Sequence, residues 1–220
     1  VSGPYQRAWY EARGVPSIRI HETGLPQHDK IAKFHMSKPD ARRLLRLEQL
    51  APVIVYCSSW RQDTNLLGCH SGVEEYYLKM LDAMQYLPGS QLVVKVHPSG
   101  NNGEWHVRMA KEKNVHCVVV NTYLEVVLHA ADVVVSYGPS NVLFEAAHVP
   151  SVRLIATHGY PDDGAIMKLG EEATPEEIGA KVRDSLGEYP PDYTSFKYKY
   201  GGICDGNNAA RVIQYAKELM

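Results

Sequence analysis

The regular exchange of short β-branched runs and amphipathic stretches, starting at Pro52 and lasting to residue 186, limits this chain to very few folds. Runs such as Leu92-Val93-Val94-Lys95-Val96 and Asp132-Val133-Val134-Val135 show little polar alternation, as expected of strands covered on both faces. Strands are predicted at 53–56, 92–96, 116–120, 132–135 and 151–155, with a short sixth near 165–169. Helices are predicted between them over 73–86, 104–113, 123–130 and 140–148. The first carries Tyr77, Leu78, Leu81 and Met84 at helical spacing. Thr174-Pro175-Glu176-Glu177 is a helix start, with a capping hydroxyl, proline at the first helical position and acids against the dipole. That helix runs to about residue 186, and a last helix covers 207–219. The pattern predicts an α/β fold: a doubly wound parallel sheet of five to six strands with helices on both faces.

Residues 1–50 read instead as a leader, and residues 51–220 as the domain. The leader contains a short helix at 5–12, a brief strand at 17–21, a turn at Thr23-Gly24-Leu25-Pro26 and a basic helical stretch at 39–47. The tyrosine- and proline-rich stretch 189–200 is expected to be irregular.

Composition removes several function classes. A formal net charge of -2 gives no general attraction to nucleic acid. No apolar run approaches the ~20 residues of a membrane helix. The start at Val1 rather than Met suggests a processed product or an excised piece of something longer. The four cysteines, Cys57, Cys69, Cys117 and Cys204, contain no C-x-x-C pair and read as free, reduced thiols. A zinc site built on Cys57, Cys69 and His70 fits no usual ligand spacing. Neither a P-loop nor a G-x-G-x-x-G is present, which argues against a simple ATPase or a dehydrogenase.

Ligands of open α/β sheets lie beyond the carboxyl ends of the strands. Three strand ends here empty into polar groups. The first gives Cys57-Ser58-Ser59-Trp60-Arg61-Gln62-Asp63, with a guanidinium suited to a carboxylate or phosphate. The second gives His97-Pro98-Ser99-Gly100-Asn101-Asn102, whose imidazole can donate to a phosphate oxygen or move a proton near neutral pH. The third gives Ser136-Tyr137-Gly138-Pro139-Ser140-Asn141, a hydroxyl-rich turn into a helix whose first amides favour an anion. Glu145, on that helix, suits the paired hydroxyls of a ribose. Taken singly, each has a plain structural alternative: Ser140 caps, Glu145 faces solvent, Arg61 pairs with Asp63 and His97 ends a strand. Their convergence on one edge favours a site.

The segment Val94-Lys95-Val96-His97-Pro98, followed by residues 131–146, resembles the nucleotide-binding half of GT-B glycosyltransferases. It is most similar to the CDP-glycerol glycerophosphotransferases, the capsule polysaccharide transferases and the UDP-N-acetylglucosamine 2-epimerases. The leader elements Gly14-Val15-Pro16 and residues 18–29 resemble the passage into their C-terminal domain, and Asp205-Gly206-Asn207-Asn208-Ala209-Ala210-Arg211 resembles their closing helix. The resemblance implies a Rossmann-like donor domain. His97 would be the catalytic histidine near the donor phosphates. Ser58, Arg61, Ser136, Ser140 and Asn141 would contact the donor, Glu145 would hold the ribose, and Tyr123 would meet the base. It implies no cofactor and no obligatory metal, because helix dipole, histidine and arginine can stabilise the leaving pyrophosphate. The substrate would be a nucleotide-activated donor such as a UDP-sugar or a CDP-linked compound. The partner would be an N-terminal acceptor-binding domain absent from this chain, without which turnover is poor. The setting would be cytoplasmic, with peripheral membrane association of the full-length parent.

The chain departs from these families in two places. Tyr137-Gly138-Pro139 stands where the epimerases usually carry two glycines after the serine, and Ser140-Asn141 where the glycerophosphotransferases carry paired serines. Two other functions stay open at this stage: a nucleotide-sugar 2-epimerase domain, and a non-catalytic binding module whose surface is the tyrosines at 189, 193, 198 and 200.

Overall fold

A β-branched run becomes a strand only where neighbours satisfy its amides, and here the runs find one another. The computed structural model describes residues 1–58, 73–98, 103–121, 123–136, 141–149, 153–156, 171–172, 177–187 and 192–220. In chain order the elements are α1 Pro4–Glu11, α2 Asp29–Lys33, α3 Lys38–Leu44, β1 Val53–Cys57, α4 Val73–Met84, β2 Gln91–Lys95, α5 Glu104–Glu112, β3 Cys117–Val120, α6 Leu124–Ala130, β4 Val133–Ser136, α7 Asn141–Ala146, β5 Arg153–Ala156, β6 Glu171–Glu172, α8 Ile178–Gly187, α9 Thr194–Phe196 and α10 Asn208–Glu218. The chain divides into two units, residues 1–35 with 192–220, and residues 36–191.

The larger unit is an α/β layer structure around one parallel sheet, with strand order β3-β2-β1-β4-β5-β6. The chain builds outward from β1 to β3, then returns to β4 on the other side of β1. That reversal makes β1 and β4 a topological switch point, the place beyond whose carboxyl ends doubly wound folds bind ligands. Alternate residues face opposite sides. Ile54, Tyr56, Leu92, Val94, Val133 and Val135 pack with Tyr77, Met80 and Leu81 of α4, Ala110 of α5, and Ile178 and Val182 of α8. Val53, Val55, Val93 and Val134 are equally buried on the other face, where α6 lies against β1 and β2 and α3 against α6.

One polar clamp ties this second layer to the sheet. Asp132, just before β4, accepts from Arg42 Nη2 at 2.5 Å, Lys38 Nζ at 2.8 Å and the Val53 amide at 2.8 Å. Arg42, 7% exposed, also donates to the carbonyls of Ala130 and Gln49. The start of α3 is fixed by Ser37, whose hydroxyl accepts from the Asp40 amide.

The smaller unit is held by polar contacts around α10. The Asp29 carboxylate accepts from the amides of Asn208 and Ala209, capping the helix. Asn208 Nδ2 donates to the Leu25 carbonyl, and its Oδ1 accepts from Arg211. Gly24 has φ +77, and a Cβ there would collide with the Asn208 side chain, so the turn needs glycine. Two expectations fail in this unit. Residues 17–21 form no strand: Ser17–Arg19 is a 3₁₀ turn with Ile18 85% exposed. Five alternating residues without a partner strand cannot keep extended pairing. The stretch 189–200, expected to be irregular, holds α9 and a π-helical turn at Lys197–Gly201, packed through Phe196 and Tyr200 rings 4.7 Å apart. The sixth strand lies at Glu171–Glu172; the span 165–169 falls outside the described residues. No helix among the described residues is long and apolar enough to cross a membrane.

The clamp gives a stability prediction. Asp132→Ala strands the buried Arg42 guanidinium and should cost about 3 kcal/mol, whereas Lys38→Met, which removes a partly exposed partner, should cost about 1 kcal/mol or less. Urea unfolding midpoints measure both; equal losses would contradict a clamp centred on Arg42.

Candidate functional site

Because β1, β2 and β4 are parallel and adjacent, their last residues share one edge. Cys57 is in register with Lys95 on one side and with Ser136 on the other. The three side chains therefore form a row on the sheet face opposite the α4 layer, with neighbours about 4.8 Å apart along the hydrogen-bonding direction. All three are buried, Lys95 to 7% exposure and Ser136 to 1%.

The exit of β2 is closely fixed. The Ser58 amide donates to the Lys95 carbonyl at 3.0 Å, and the Val96 amide donates to the Val120 carbonyl at 3.0 Å. The His97 amide donates to Ser58 Oγ at 3.1 Å, and Lys95 Nζ to the Val96 carbonyl at 2.7 Å. A serine from the end of one strand thus anchors the histidine at the end of the next. Further along, Gly103 begins α5 at φ +84; a Cβ there would press on Val119 and Val96. The return from this loop is therefore tight against the ends of β2 and β3.

The electrostatics of the cluster follow from burial. Desolvation pushes the Cys57 thiol up to about 12; Lys95 opposes the rise and the Glu145 carboxylate adds to it. Cys57 is therefore a neutral thiol, not a nucleophile, at ordinary pH. Burial lowers the Lys95 ammonium, with Cys57 acting in the other direction. His97 is lowered first by burial and then by the Lys95 charge. A histidine held below its usual range is neutral at pH 7, with one N–H to donate and one nitrogen to accept.

Of the residues nominated from sequence, Ser58, His97 and Ser136 come together at the carboxyl edge of β1, β2 and β4. Half-buried Glu145 sits on α7, within charge reach of Cys57. Asn141 is exposed and opens α7. Tyr123 stands at the entrance to α6, beyond the edge strand β3, with 70% of its surface exposed. Arg61 and Ser140 lie outside the described residues, as do Cys69 and His70. Lys95 was not nominated. A lysine inside an apolar run is ordinarily a snorkelling strand residue, and only its register with Cys57 and Ser136 marks it.

The fold defines a doubly wound α/β domain with a polar edge at the carboxyl ends of its central strands. The chain belongs to the CDP-glycerol:poly(glycerophosphate) glycerophosphotransferase family, whose profile matches residues 2–148. Among solved structures it is similar to the wall teichoic acid polymerase TagF, at 13% identity and a TM-score of 0.58 over 100% of this chain and 58% of TagF. A TagF variant soaked with CDPG gives 14% identity and 0.61, covering 100% and 56%. The UDP-GlcNAc 2-epimerase of Neisseria meningitidis, bound to UDP-GlcNAc, gives 14% and 0.65, covering 99% and 60%. These likenesses are of fold, and the chain spans somewhat over half of each neighbour. No curated protein sequence matches the chain.

The geometry of this edge and the burial of two histidines, His97 here and His28 in the smaller unit, each give a prediction. Ser58→Ala leaves the His97 amide without its acceptor and should cost about 1–3 kcal/mol in urea unfolding; a neutral result would mean that the bond does not hold the β2 exit. His28 and His97 are both lowered by burial in the folded state. The unfolded chain therefore takes up protons first as pH falls through about 6.5, and stability declines from there towards the lowered folded values. Thermal unfolding from pH ~8 to ~5 should show a falling midpoint; a rising one would contradict the assignment.

Proposed function

We propose that the chain is the donor-binding, C-terminal half of a GT-B transferase that moves glycerol phosphate from CDP-glycerol to a poly(glycerophosphate)-type acceptor. In this reaction an acceptor hydroxyl attacks the glycerol-bearing phosphorus. A new phosphoester bond forms, the bridging P–O bond of the diphosphate breaks, and CMP leaves with the electron pair. The hydroxyl proton passes to a base supplied by an acceptor-binding domain, to which residues 1–50 act as leader. His97 donates its N–H to a donor phosphate oxygen as charge develops there. Ser136, Ser140, Asn141, Ser58 and Arg61 hold the diphosphate, Glu145 the ribose and Tyr123 the base.

The observation that carries this reading is the arrangement at the switch point: the His97 exit is fixed by Ser58, two residues beyond Lys95, which stands in register with Ser136 across Cys57 of β1. Family membership favours the CDP-glycerol donor, and the fold likeness to TagF is compatible with it. The fold likeness to UDP-GlcNAc 2-epimerases supports a second reading, a UDP-sugar epimerase domain. The two differ in the base they select.

Calorimetric titration separates them. CDP should bind in the micromolar to millimolar range and more tightly than UDP, with His97→Ala and Glu145→Ala each weakening it by about tenfold. Preference for UDP would favour the epimerase reading. Absence of binding by either nucleotide would overturn both.

A further inference from the structure

Lys95 is a buried cation at this edge whose partners among the described residues leave it with capacity to spare. Its residue surface is 7% exposed, yet no carboxylate oxygen among the described residues lies within ion-pair distance of Nζ. Among the described residues its one hydrogen bond goes to the Val96 carbonyl, and an ammonium can donate three. The side chain thus reaches forward over the end of β2 rather than back under the helices. The Cys57 thiol beside it is neutral and supplies no counter-charge. A buried ammonium without an anion is costly, and natural chains retain such groups where an anion visits.

We infer that Lys95 is a binding residue for the donor's diphosphate, its ε-ammonium meeting a phosphate oxygen at the carboxyl edge of β2, beside His97 and in the row with Cys57 and Ser136. The inference rests on the donor-site reading above for the nature of the ligand, but the anion grip itself can be measured separately. The cation sits where the leaving phosphate gathers charge, so it stabilises that charge without moving. It also explains why the strand ends in lysine rather than a further β-branched residue: in a fully apolar run the edge would carry no fixed positive charge from β2.

The experiment compares wild type, Lys95→Met and Lys95→Arg for binding of CDP, cytidine and inorganic pyrophosphate by calorimetry, with thermal unfolding as the folding control. Lys95→Met should lose about tenfold or more in affinity for CDP and pyrophosphate. Its cytidine affinity should not change and its unfolding midpoint should not fall, because an apolar isostere replaces a buried charge. Lys95→Arg should keep most of the CDP affinity. A second measurement needs no substitution: the Lys95 Cε resonance of the wild type should move when pyrophosphate is added. Equal CDP affinity in wild type and Lys95→Met, or a Lys95 resonance indifferent to pyrophosphate, overturns the inference and leaves the donor reading standing. Pyrophosphate binding that depends on Lys95, without any gain from the cytidine moiety, upholds the inference and removes the donor reading. Failure of the wild type to bind either pyrophosphate or CDP overturns both.

Discussion

The parallel register of β1, β2 and β4 is the constraint on which the rest depends. It brings the last residues of three separated stretches, Cys57, Lys95 and Ser136, into one row. A parallel sheet cannot place the ends of neighbouring strands on opposite edges, so whatever follows each strand must meet there. In the order β3-β2-β1-β4, β1 and β4 meet at the topological switch point, beyond whose carboxyl ends doubly wound folds bind ligands. The apolar faces of the sheet fix this register, because a one-residue slip would turn Ile54, Tyr56, Leu92 and Val94 out of their core. Core packing and the polar edge are therefore set by the same strands, through different positions along them.

The polar bonds at the edge refine what the register begins. Ser58 is the link between two exits: its amide serves the Lys95 carbonyl and its hydroxyl takes the His97 amide. The imidazole is thereby held near a buried ammonium, and burial together with that charge keeps it neutral. A neutral imidazole and a charged lysine are complementary tools for an anionic ligand. The first donates one directed hydrogen bond, and the second supplies field from within a low-dielectric wall. The chain's membership of the glycerophosphotransferase family is compatible with such an edge.

Much of the sheet was legible in the sequence because continuous β-branched runs bounded by small and polar residues have few other outcomes. The strand ends were legible for the same reason, which is why Ser58, His97 and Ser136 could be nominated together. The weight of Lys95 was not, because it arises from register across three strands and from the lack of an ion-pair partner among the described residues. The Ser58 bond to His97 joins residues 39 apart and has no local signature. Residues 17–21 misled because alternation alone does not make a strand; Ile18 is exposed and the segment turns instead. The π-helical turn at Lys197–Gly201 was hidden by a tyrosine-rich composition that reads as irregular, although Tyr5 and Phe196 pack against Tyr200 there.

The central claim is that the carboxyl edge of β1, β2 and β4 receives a nucleotide diphosphate. Amide chemical-shift mapping during addition of CDP tests it most directly. The account predicts the largest shifts at Ser58, Val96, His97 and Ser136, with little change at the amino ends of the same strands, at Val53, Gln91 and Val133. Shifts concentrated at those amino ends, or none anywhere on the sheet at saturating CDP, would contradict it.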